Sequence, residues 1–264
     1  MSAANFRKVR RGAGAHYYAA EAAGLRWIEV DGGPPIPKVH AVGDAALELD
    51  RIVETRPSAV AAENFGRALA LLHRSGASAF GVGPPDGPPS GWIADVPLPY
   101  GRFDTFGAMY AELRIRPYLK LCREADAFDD AAFAIFEELC ERLMTESPEV
   151  VGPDEAPSRL HGDLWSGNLL WAPDPAGHPS VWLIDPAAYG GHRESDLAML
   201  LLFGAPQLER IVGAYNEAAP LADGWQSRVS LHQVYPLLVH TILFGGGYAG
   251  QALMAARRAL GVGD

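Results

Sequence analysis

The chain has 264 residues, of which 48% are hydrophobic and 20% charged, and its formal net charge is −10. This composition is typical of a globular protein with one large domain or two modest lobes. Nucleic acid and anionic membranes are not expected partners, because proteins that bind them present a basic surface.

The first 75 residues predict a small mixed region followed by a long helix. Alternating apolar residues indicate strands, and an apolar spacing of three to four residues indicates helices. The predicted elements are a strand at Phe6–Val9, a helix at Tyr17–Ile28, two short strands within Val39–Ile52 and a helix at Ser58–Arg74. We expect a small N-terminal domain over residues 1–52 and a larger C-terminal domain over residues 53–264.

The larger domain is predicted to be mainly helical, with a β-hairpin near its middle. Residues 81–101 are too rich in Gly and Pro to continue a helix and are predicted to form a loop. Helices are expected over Thr105–Thr145 and from Glu194 onward. Between them, residues 158–188 predict a loop, a strand, a turn and a second strand.

Cysteine usage and hydropathy indicate the cellular location of the protein. Cys122 and Cys140 lie in helical patterns without the spacing of a metal site, so we expect reduced thiols in a cytoplasmic protein. The basic segment Met1–Arg11 has no apolar core, and no signal peptide is expected. Val234–Ala256 contains no Asp, Glu, Lys or Arg, but its Pro and three consecutive Gly residues favour a buried helix over a membrane span.

The strongest chemical signal is a polar loop followed by a hairpin and a carboxylate. Phosphoryl transfer in kinase-like enzymes needs a carboxylate beside the acceptor hydroxyl and oxygen ligands for the magnesium on the nucleotide. Asp163 and Asn168 have the five-residue spacing of that arrangement, and Asp185 ends the predicted hairpin. We expect Asp163 to be the base, Asn168 and Asp185 to be metal ligands, and His161 to brace the loop.

Three segments then carry a family resemblance: HGDLWSGNLLW, LIDPAAYGGHRESDLAM and LFGGGYAGQAL. Together they resemble the fructosamine (ketosamine) kinase family, within the aminoglycoside-phosphotransferase and protein-kinase-like superfamily, over about Phe6 to Arg258. The resemblance implies an α+β, protein-kinase-like fold with a small mixed N-lobe and a larger helical C-lobe. It also implies ATP and Mg²⁺ as cofactors. The implied acceptor is a small molecule, the sugar adduct of an amine or a protein lysine, phosphorylated on a sugar hydroxyl.

The resemblance also assigns residues of the N-lobe to the nucleotide. Lys8 corresponds to the family's strand lysine, which holds the α- and β-phosphates, and Glu21 to the helix acid that pairs with it. Without the family, Lys8 would be interpreted as a surface lysine and Glu21 as a solvated helix residue. The backbone at Leu49, Asp50 and Arg51 corresponds to the hinge that hydrogen-bonds adenine.

Other residues are assigned to the acceptor or to structural support. Trp165, within the catalytic loop, favours fructosamine kinases over aminoglycoside kinases, and its ring suits stacking against a sugar; the alternative is a packing residue. Trp92 and Asp95 lie in a segment that resembles the family's substrate-side loop and are candidate contacts for the sugar or the amine. Arg193 and Asp196 are expected to form a bracing ion pair.

Only seven residues precede Lys8, fewer than the family's usual start requires. That start consists of a strand, a Gly-rich turn that covers the phosphates and a second strand, roughly 20–30 residues by ordinary element lengths. We therefore expect either a start further upstream or an N-lobe that lacks the Gly-rich hairpin. In the second case the triphosphate is exposed to water and ATP binding is weak.

Two alternatives to a ketosamine kinase stay open. The first is a kinase of another small hydroxyl compound, such as an aminoglycoside or a choline-like molecule. The net charge of −10 suits a cationic acceptor in either case. The second is a non-catalytic protein that keeps the kinase architecture without covering the nucleotide. A substrate panel tests the first alternative, and nucleotide binding tests the second.

Overall fold

The computed structural model describes residues 5–13 and 16–262; residues 1–4, 14–15 and 263–264 of the two predicted domains lie outside the described residues. The N-terminal part is a three-stranded antiparallel sheet with one helix. Its elements are β1 (Phe6–Lys8), α1 (Tyr17–Ile28), β2 (Val39–Val42) and β3 (Leu47–Leu49). Strand β3 is central and pairs with both β1 and β2. The strands and the helix predicted for this region are therefore confirmed.

The rest of the described chain is mainly helical and contains three antiparallel strand pairs. Its helices are α2 (Ala59–Arg74), α3 (Phe106–Met109), α4 (Arg116–Glu124), α5 (Asp130–Met144), α6 (Pro148–Val151), α7 (Glu194–Phe203), α8 (Leu208–Ala218), α9 (Trp225–Phe244) and α10 (Tyr248–Ala259), with a π-helical segment, Tyr110–Ile115, between α3 and α4. Its strands are β4 (Ser90–Ile93), β5 (Val96–Pro99), β6 (Ser158–Leu160), β7 (Leu169–Pro173), β8 (Pro179–Leu183) and β9 (Tyr189–Gly191). The predicted helices and the predicted hairpin, β7–β8, are confirmed.

Helix α2 connects the N-terminal sheet to the helical part. It begins where the sequence predicts, because Ser58 Oγ accepts a hydrogen bond from Ala61 N at 3.2 Å and so caps the first turn. Phe65 of α2 belongs to the same hydrophobic cluster as Leu25 and Leu49, and α2 also packs along α8. The sheet and the first helix after residue 52 thus share one core. The division into domains at residue 52 stays a prediction.

The loop predicted over residues 81–101 is wrong in its second half, which forms the hairpin β4–β5. Pro97 and Pro99 are compatible with this hairpin because both of its strands are edge strands, which tolerate a missing N–H. Val96 and Leu98 are buried on one face of β5, as the two-residue period of a strand requires. The hairpin packs against α1 and forms one wall of the site described below.

Helix α9 contains the long uncharged stretch and is a core helix. Val234 and Leu238 are buried, and α9 packs against α4, α7 and α10. Its last residue is Phe244, followed by Gly245 and Gly246 with φ of +61° each, a conformation that favours glycine and ends the helix. Within residues 5–13 and 16–262, no helix is both long and apolar enough to cross a membrane. The prediction of a buried helix is therefore confirmed.

Candidate active site

The loop between β6 and β7 holds the predicted catalytic residues, and strand pairing anchors it on both sides. Within the loop, Asp163 N donates a hydrogen bond to His161 Nδ1 at 3.2 Å. Because Nδ1 accepts, the ring carries its proton on Nε2, which donates to the Ile184 carbonyl at 2.9 Å. Burial also lowers the pKa of His161. The imidazole is therefore neutral and ties the loop to the end of β8.

Asn168 holds the Asp163 carboxylate in place. Its Nδ2 donates to the Asp163 carbonyl at 2.8 Å and to Asp163 Oδ2 at 3.0 Å. Both N–H bonds of the amide are thereby used, so its oxygen is the atom that can bind a cation. Burial raises the pKa of Asp163 to about 7, although the hydrogen bond from Asn168 opposes the rise. A carboxyl group with this pKa exchanges its proton near neutral pH, as a general base must.

Lys8 joins the N-terminal sheet to the predicted catalytic residues. Its Nζ lies 2.8 Å from Glu21 Oε2 and 2.8 Å from Asp185 Oδ1. Burial opposes the charge on Lys8, but the two carboxylates outweigh it, and the pKa of Lys8 is raised. Burial also raises the pKa of Glu21 to about 7, although Lys8 lowers it. The alternative interpretation of Glu21 as a solvated residue is wrong, because it is only 6% exposed.

Asp185 follows β8 in a left-handed backbone conformation, with φ of +54°. Few residues other than Gly, Asn and Asp adopt this conformation, and such strain is common at functional sites. The Asp185 side chain lines the same cleft as Asp163 and Asn168. Because Asn168 precedes β7 and Asp185 follows β8, the two predicted metal ligands reach this cleft from the two open ends of one hairpin.

Asp196 lies beneath the catalytic loop and supports its backbone. Its carboxylate accepts hydrogen bonds from His161 N at 2.8 Å and from Gly162 N at 2.9 Å, and Oδ2 lies 3.1 Å from His73 Nε2. Burial alone would raise the pKa of Asp196, but His73 and the loop's N–H groups lower it. Asp196 is thus a fixed carboxylate that determines where the loop backbone lies.

The predicted ion pair between Arg193 and Asp196 is wrong. Arg193 donates instead to both carboxylate oxygens of Glu155, at 2.7 Å each, and to the carbonyls of Ala219 and Pro220. Asp196 is fully buried, and its carboxylate oxygens already accept hydrogen bonds from the loop backbone. Arg193 precedes α7 and is directed toward the connector that carries Glu155, so the two side chains do not meet. Both residues brace the segment after Asp185, but through separate partners.

A second ion pair braces the same segment and is buried. Arg228 donates to both oxygens of Glu194, at 2.9 and 2.5 Å, and the two side chains are 7% and 2% exposed. His232 Nε2 lies 3.3 Å from the same carboxylate. Burial would raise the pKa of Glu194, but His232 and Arg228 lower it to about 2. Sequence reasoning missed Arg228, because no motif links it to a partner 34 residues away.

We expect Arg228→Met to lower the free energy of unfolding by about 3–5 kcal/mol. The substitution retains a long side chain but leaves the Glu194 carboxylate buried without its cation. Urea denaturation of the wild-type protein and the variant measures the difference. Arg142→Met, at an exposed position of α5, is the matched control and should stay within about 0.5 kcal/mol of wild type. Equal stability of the two variants would contradict the prediction.

One cleft collects most of the predicted site residues. Those that line it are Lys8, Glu21, Trp92, Asp163, Trp165, Asn168 and Asp185. Asp95 is not among the lining residues: its carboxylate pairs with Arg10 at 2.9 and 2.6 Å. This contact places the turn of hairpin β4–β5 against the chain that follows β1. A contact between Asp95 and the substrate stays a prediction.

The three predicted hinge residues lie at the end of β3, away from the lining of this cleft. Leu49 is buried in the core and pairs with Phe6 of β1. The Asp50 carboxylate lies 2.8 Å from His40 Nε2, and the Arg51 guanidinium lies over the Phe6 ring at 5.6 Å from its centroid. Their role in binding adenine stays a prediction.

The cleft has further lining residues that sequence reasoning missed, and several of them are aromatic. They include Arg10, Tyr17, Tyr100, His240 and Phe244. The rings of Tyr17 and Trp92 are 6.4 Å apart, so α1 and hairpin β4–β5 meet at the edge of the cleft. Of these five residues, only Phe244 lies in a segment that carries the family resemblance, LFGGGYAGQAL. The others come from segments without a recognisable motif.

Comparisons with known proteins show which chains this protein resembles. A family model described as fructosamine kinase matches residues 2–261. A "Probable ketoamine kinase" of Thermus thermophilus is 32% identical over 241 residues, which are 88% of this chain and 79% of that protein. A Thermobifida fusca crystal structure assigned as a fructosamine-3-kinase superposes with a TM-score of 0.86 at 40% identity, and the match covers 97% of this chain and 85% of that chain.

A more distant structure bears on the fold alone. The aminoglycoside phosphotransferase APH(2″)-IIa, in complex with gentamicin, superposes with a TM-score of 0.61 at 14% identity. The match covers 97% of this chain and 84% of that chain. Together with the mixed N-terminal sheet and the helical remainder, these similarities confirm the predicted α+β, protein-kinase-like fold.

Proposed function

We propose that this chain, which belongs to the fructosamine kinase family, is an ATP-dependent phosphotransferase that phosphorylates a sugar hydroxyl of ketosamines, the sugar adducts of amines. The observation that supports this most is the meeting of Asp163, Asn168 and Asp185 with Lys8 in one cleft. This set supplies a base, two oxygen ligands and a cation, which are the parts that phosphoryl transfer requires. The acceptor is a sugar adduct, either free as a small molecule or attached to a protein lysine.

Asp163 accepts the proton of the acceptor hydroxyl. The hydroxyl oxygen bonds to the γ-phosphorus as its O–H bond breaks, and the bond from the γ-phosphorus to the leaving oxygen of ADP breaks. Asn168 fixes the base by its 3.0 Å hydrogen bond, and Asp196 holds the loop backbone beneath it. A base oriented before the reaction reduces the entropy that must be lost to reach the transition state.

Mg²⁺ fits the donor set at the cleft. Asp185 offers a carboxylate and Asn168 an amide oxygen, and Mg²⁺ prefers such oxygen ligands together with those of nucleotide phosphates. The two residues are attached to the ends of hairpin β7–β8, which keeps them on a rigid support. When bound, the ion would balance negative charge on the phosphates.

Lys8 binds the α- and β-phosphates of the nucleotide, which are not transferred. Glu21 holds its ammonium from the side of α1 at 2.8 Å, which directs the charge toward the cleft. Asp185 also accepts from Lys8. We expect nucleotide phosphates to take over this contact, because a lysine ammonium forms strong, charge-assisted hydrogen bonds with phosphate.

Trp165 is the residue that we expect to contact the sugar of the acceptor. It follows the base by two residues, and its side chain is 41% exposed at the cleft. An aromatic face of this kind suits the apolar face of a sugar ring. A sugar stacked on Trp165 would present its hydroxyls to Asp163. Sugar adducts of free amines and of protein lysines are both proposed acceptors.

We expect ADP release when the protein is mixed with Mg·ATP and a ketosamine, and none above background when free sugar and free amine replace the ketosamine. A coupled ADP assay measures this, with an aminoglycoside and choline as further acceptors. Turnover of only the aminoglycoside or choline would favour a kinase of another hydroxyl compound. A thermal-shift titration with Mg·ATP accompanies the assay, because ligand binding to the folded state raises its stability. No shift at millimolar nucleotide would favour a non-catalytic protein.

A further inference from the structure

Five aromatic side chains form a continuous row beside the catalytic loop. This aromatic row consists of Trp165, Phe203, His240, Phe244 and Tyr248. The ring centroids of Trp165 and Phe203 are 6.5 Å apart, and those of Phe203 and His240 are 4.7 Å apart. His240 then lies 5.4 Å from Phe244 and 5.1 Å from Tyr248. These separations are in the range where aromatic rings attract one another, so the row is a defined surface.

The aromatic row lies on the acceptor side of the cleft. Trp165, His240 and Phe244 line the same cleft as Asp163. The row is built from the catalytic loop, α7, α9 and α10, whereas Lys8, which faces the nucleotide, belongs to β1. A substrate whose sugar reaches Asp163 can therefore place its remaining part over the aromatic row.

The outer end of the aromatic row is apolar and accessible. Phe244 is 67% exposed although it is large and hydrophobic. It is the last residue of α9, so the helix holds it at the lip of the cleft. An exposed apolar surface that continues a cleft is typical of a binding site.

The aromatic row carries no formal charge at neutral pH. Among the described residues that line the cleft, the carboxylates are Glu21, Asp163 and Asp185, and all three have roles in the proposed phosphoryl transfer. His240 Nδ1 donates to the Pro236 carbonyl at 2.7 Å, which leaves Nε2 as an acceptor. Burial lowers the pKa of His240, so the ring stays neutral. A substrate ammonium would meet this acceptor and aromatic faces.

We propose that the part of the aromatic row beyond Trp165 binds the amine portion of the ketosamine and makes the protein selective for amines that carry an apolar or aromatic group. This inference rests on the proposed function and deepens it by naming the class of amine. The apolar group lies against Phe244, and the amine nitrogen donates to His240. A small amine reaches no ring beyond Trp165 and gains less contact.

Two ketosamines with the same sugar, one made from benzylamine and one from methylamine, test this selectivity. For the wild-type protein we expect kcat/KM for the benzylamine adduct to exceed that for the methylamine adduct about tenfold, the upper range for one aromatic contact. Phe244→Ala should reduce the ratio to about twofold or less, because the contact is lost. Phe244→Trp should preserve most of it. Since Phe244 is largely exposed, neither change should affect folding, and thermal denaturation checks this.

Met144→Ala is the matched control, since Met144 is 44% exposed at the end of α5 and does not line the cleft. In this variant the ratio of kcat/KM for the benzylamine adduct to that for the methylamine adduct should equal the wild-type ratio. A wild-type ratio near one, or a ratio that Phe244→Ala leaves unchanged, overturns the selectivity while the proposed function stands. Absence of ADP release with both adducts overturns the proposed function and this inference together.

Discussion

Asp163→Asn is expected to lower kcat about 1000-fold or more, because a general base contributes on the order of 10²–10⁴ to the rate and no other carboxylate within residues 5–13 and 16–262 has this position. Asn keeps the shape of the side chain and an oxygen that accepts from Asn168, so the loop should fold as before. The amide cannot take up the proton of the acceptor hydroxyl. ADP release with a ketosamine at saturating Mg·ATP measures the loss.

The control for this prediction is Asp154→Asn, at an exposed position of the connector before β6. It makes the same chemical change away from the cleft and should leave kcat within about twofold of wild type. Thermal denaturation of both variants shows whether folding is intact. Activity of the Asp163 variant within tenfold of wild type would exclude Asp163 as the base.

The pH dependence of the wild-type protein reports on the same residue. Burial raises the pKa of Asp163 to about 7, and only the carboxylate accepts a proton. We therefore expect kcat to rise with pH through about 7 and to level off above it. Burial also raises the pKa of Glu21 to about 7, but Glu21 acts on the nucleotide through Lys8. Measurement at saturating Mg·ATP separates the two effects, and a flat profile would contradict this assignment.

Asp185→Asn is expected to abolish the magnesium dependence of nucleotide binding. The substitution removes the negative ligand, whose contribution to binding Mg·ATP we expect to be on the order of 100-fold. Asn is chosen because it tolerates the left-handed conformation that the structure shows at this position, with φ of +54°. Isothermal titration with ATP, with and without Mg²⁺, measures the affinities. Turnover should fall in parallel.

In the wild-type protein, Mg²⁺ should strengthen ATP binding, and chelation by EDTA should reverse the gain. In the Asp185→Asn variant the affinities for ATP with and without Mg²⁺ should be nearly equal. Asp154→Asn again serves as the control, because it changes the same net charge away from the cleft. Equal strengthening by Mg²⁺ in both variants would show that the metal is held elsewhere.

The catalytic loop could be predicted because its geometry is local. Asp163 and Asn168 are five residues apart, and the hydrogen bond between them closes within the loop itself. Asp185 follows a short hairpin, so two strands and a turn were enough to bring it near. Lys8 and Glu21 needed the family resemblance, since neither a three-residue strand nor one acid in a helix carries a specific pattern.

Residues 81–101 show how composition can hide structure. The Gly and Pro residues exclude a helix and predict a loop, yet both strands of hairpin β4–β5 are edge strands that tolerate Pro97 and Pro99. The hairpin forms because Val96 and Leu98 are buried on one face. Whether such a short alternation is buried depends on what packs against it, which here is α1.

By itself, the sequence determined the chemistry and the family: the spacing of Asp163, Asn168 and Asp185 is short-range information that the chain carries without help from its fold. Only the tertiary structure decided which charged side chains form ion pairs. Arg193 pairs with Glu155, and Arg228 pairs with Glu194, because helix packing brings these groups together. The aromatic row was likewise decided by packing, since its rings come from separate elements. A local pattern cannot specify a partner on another helix, because that choice depends on how buried surfaces fit.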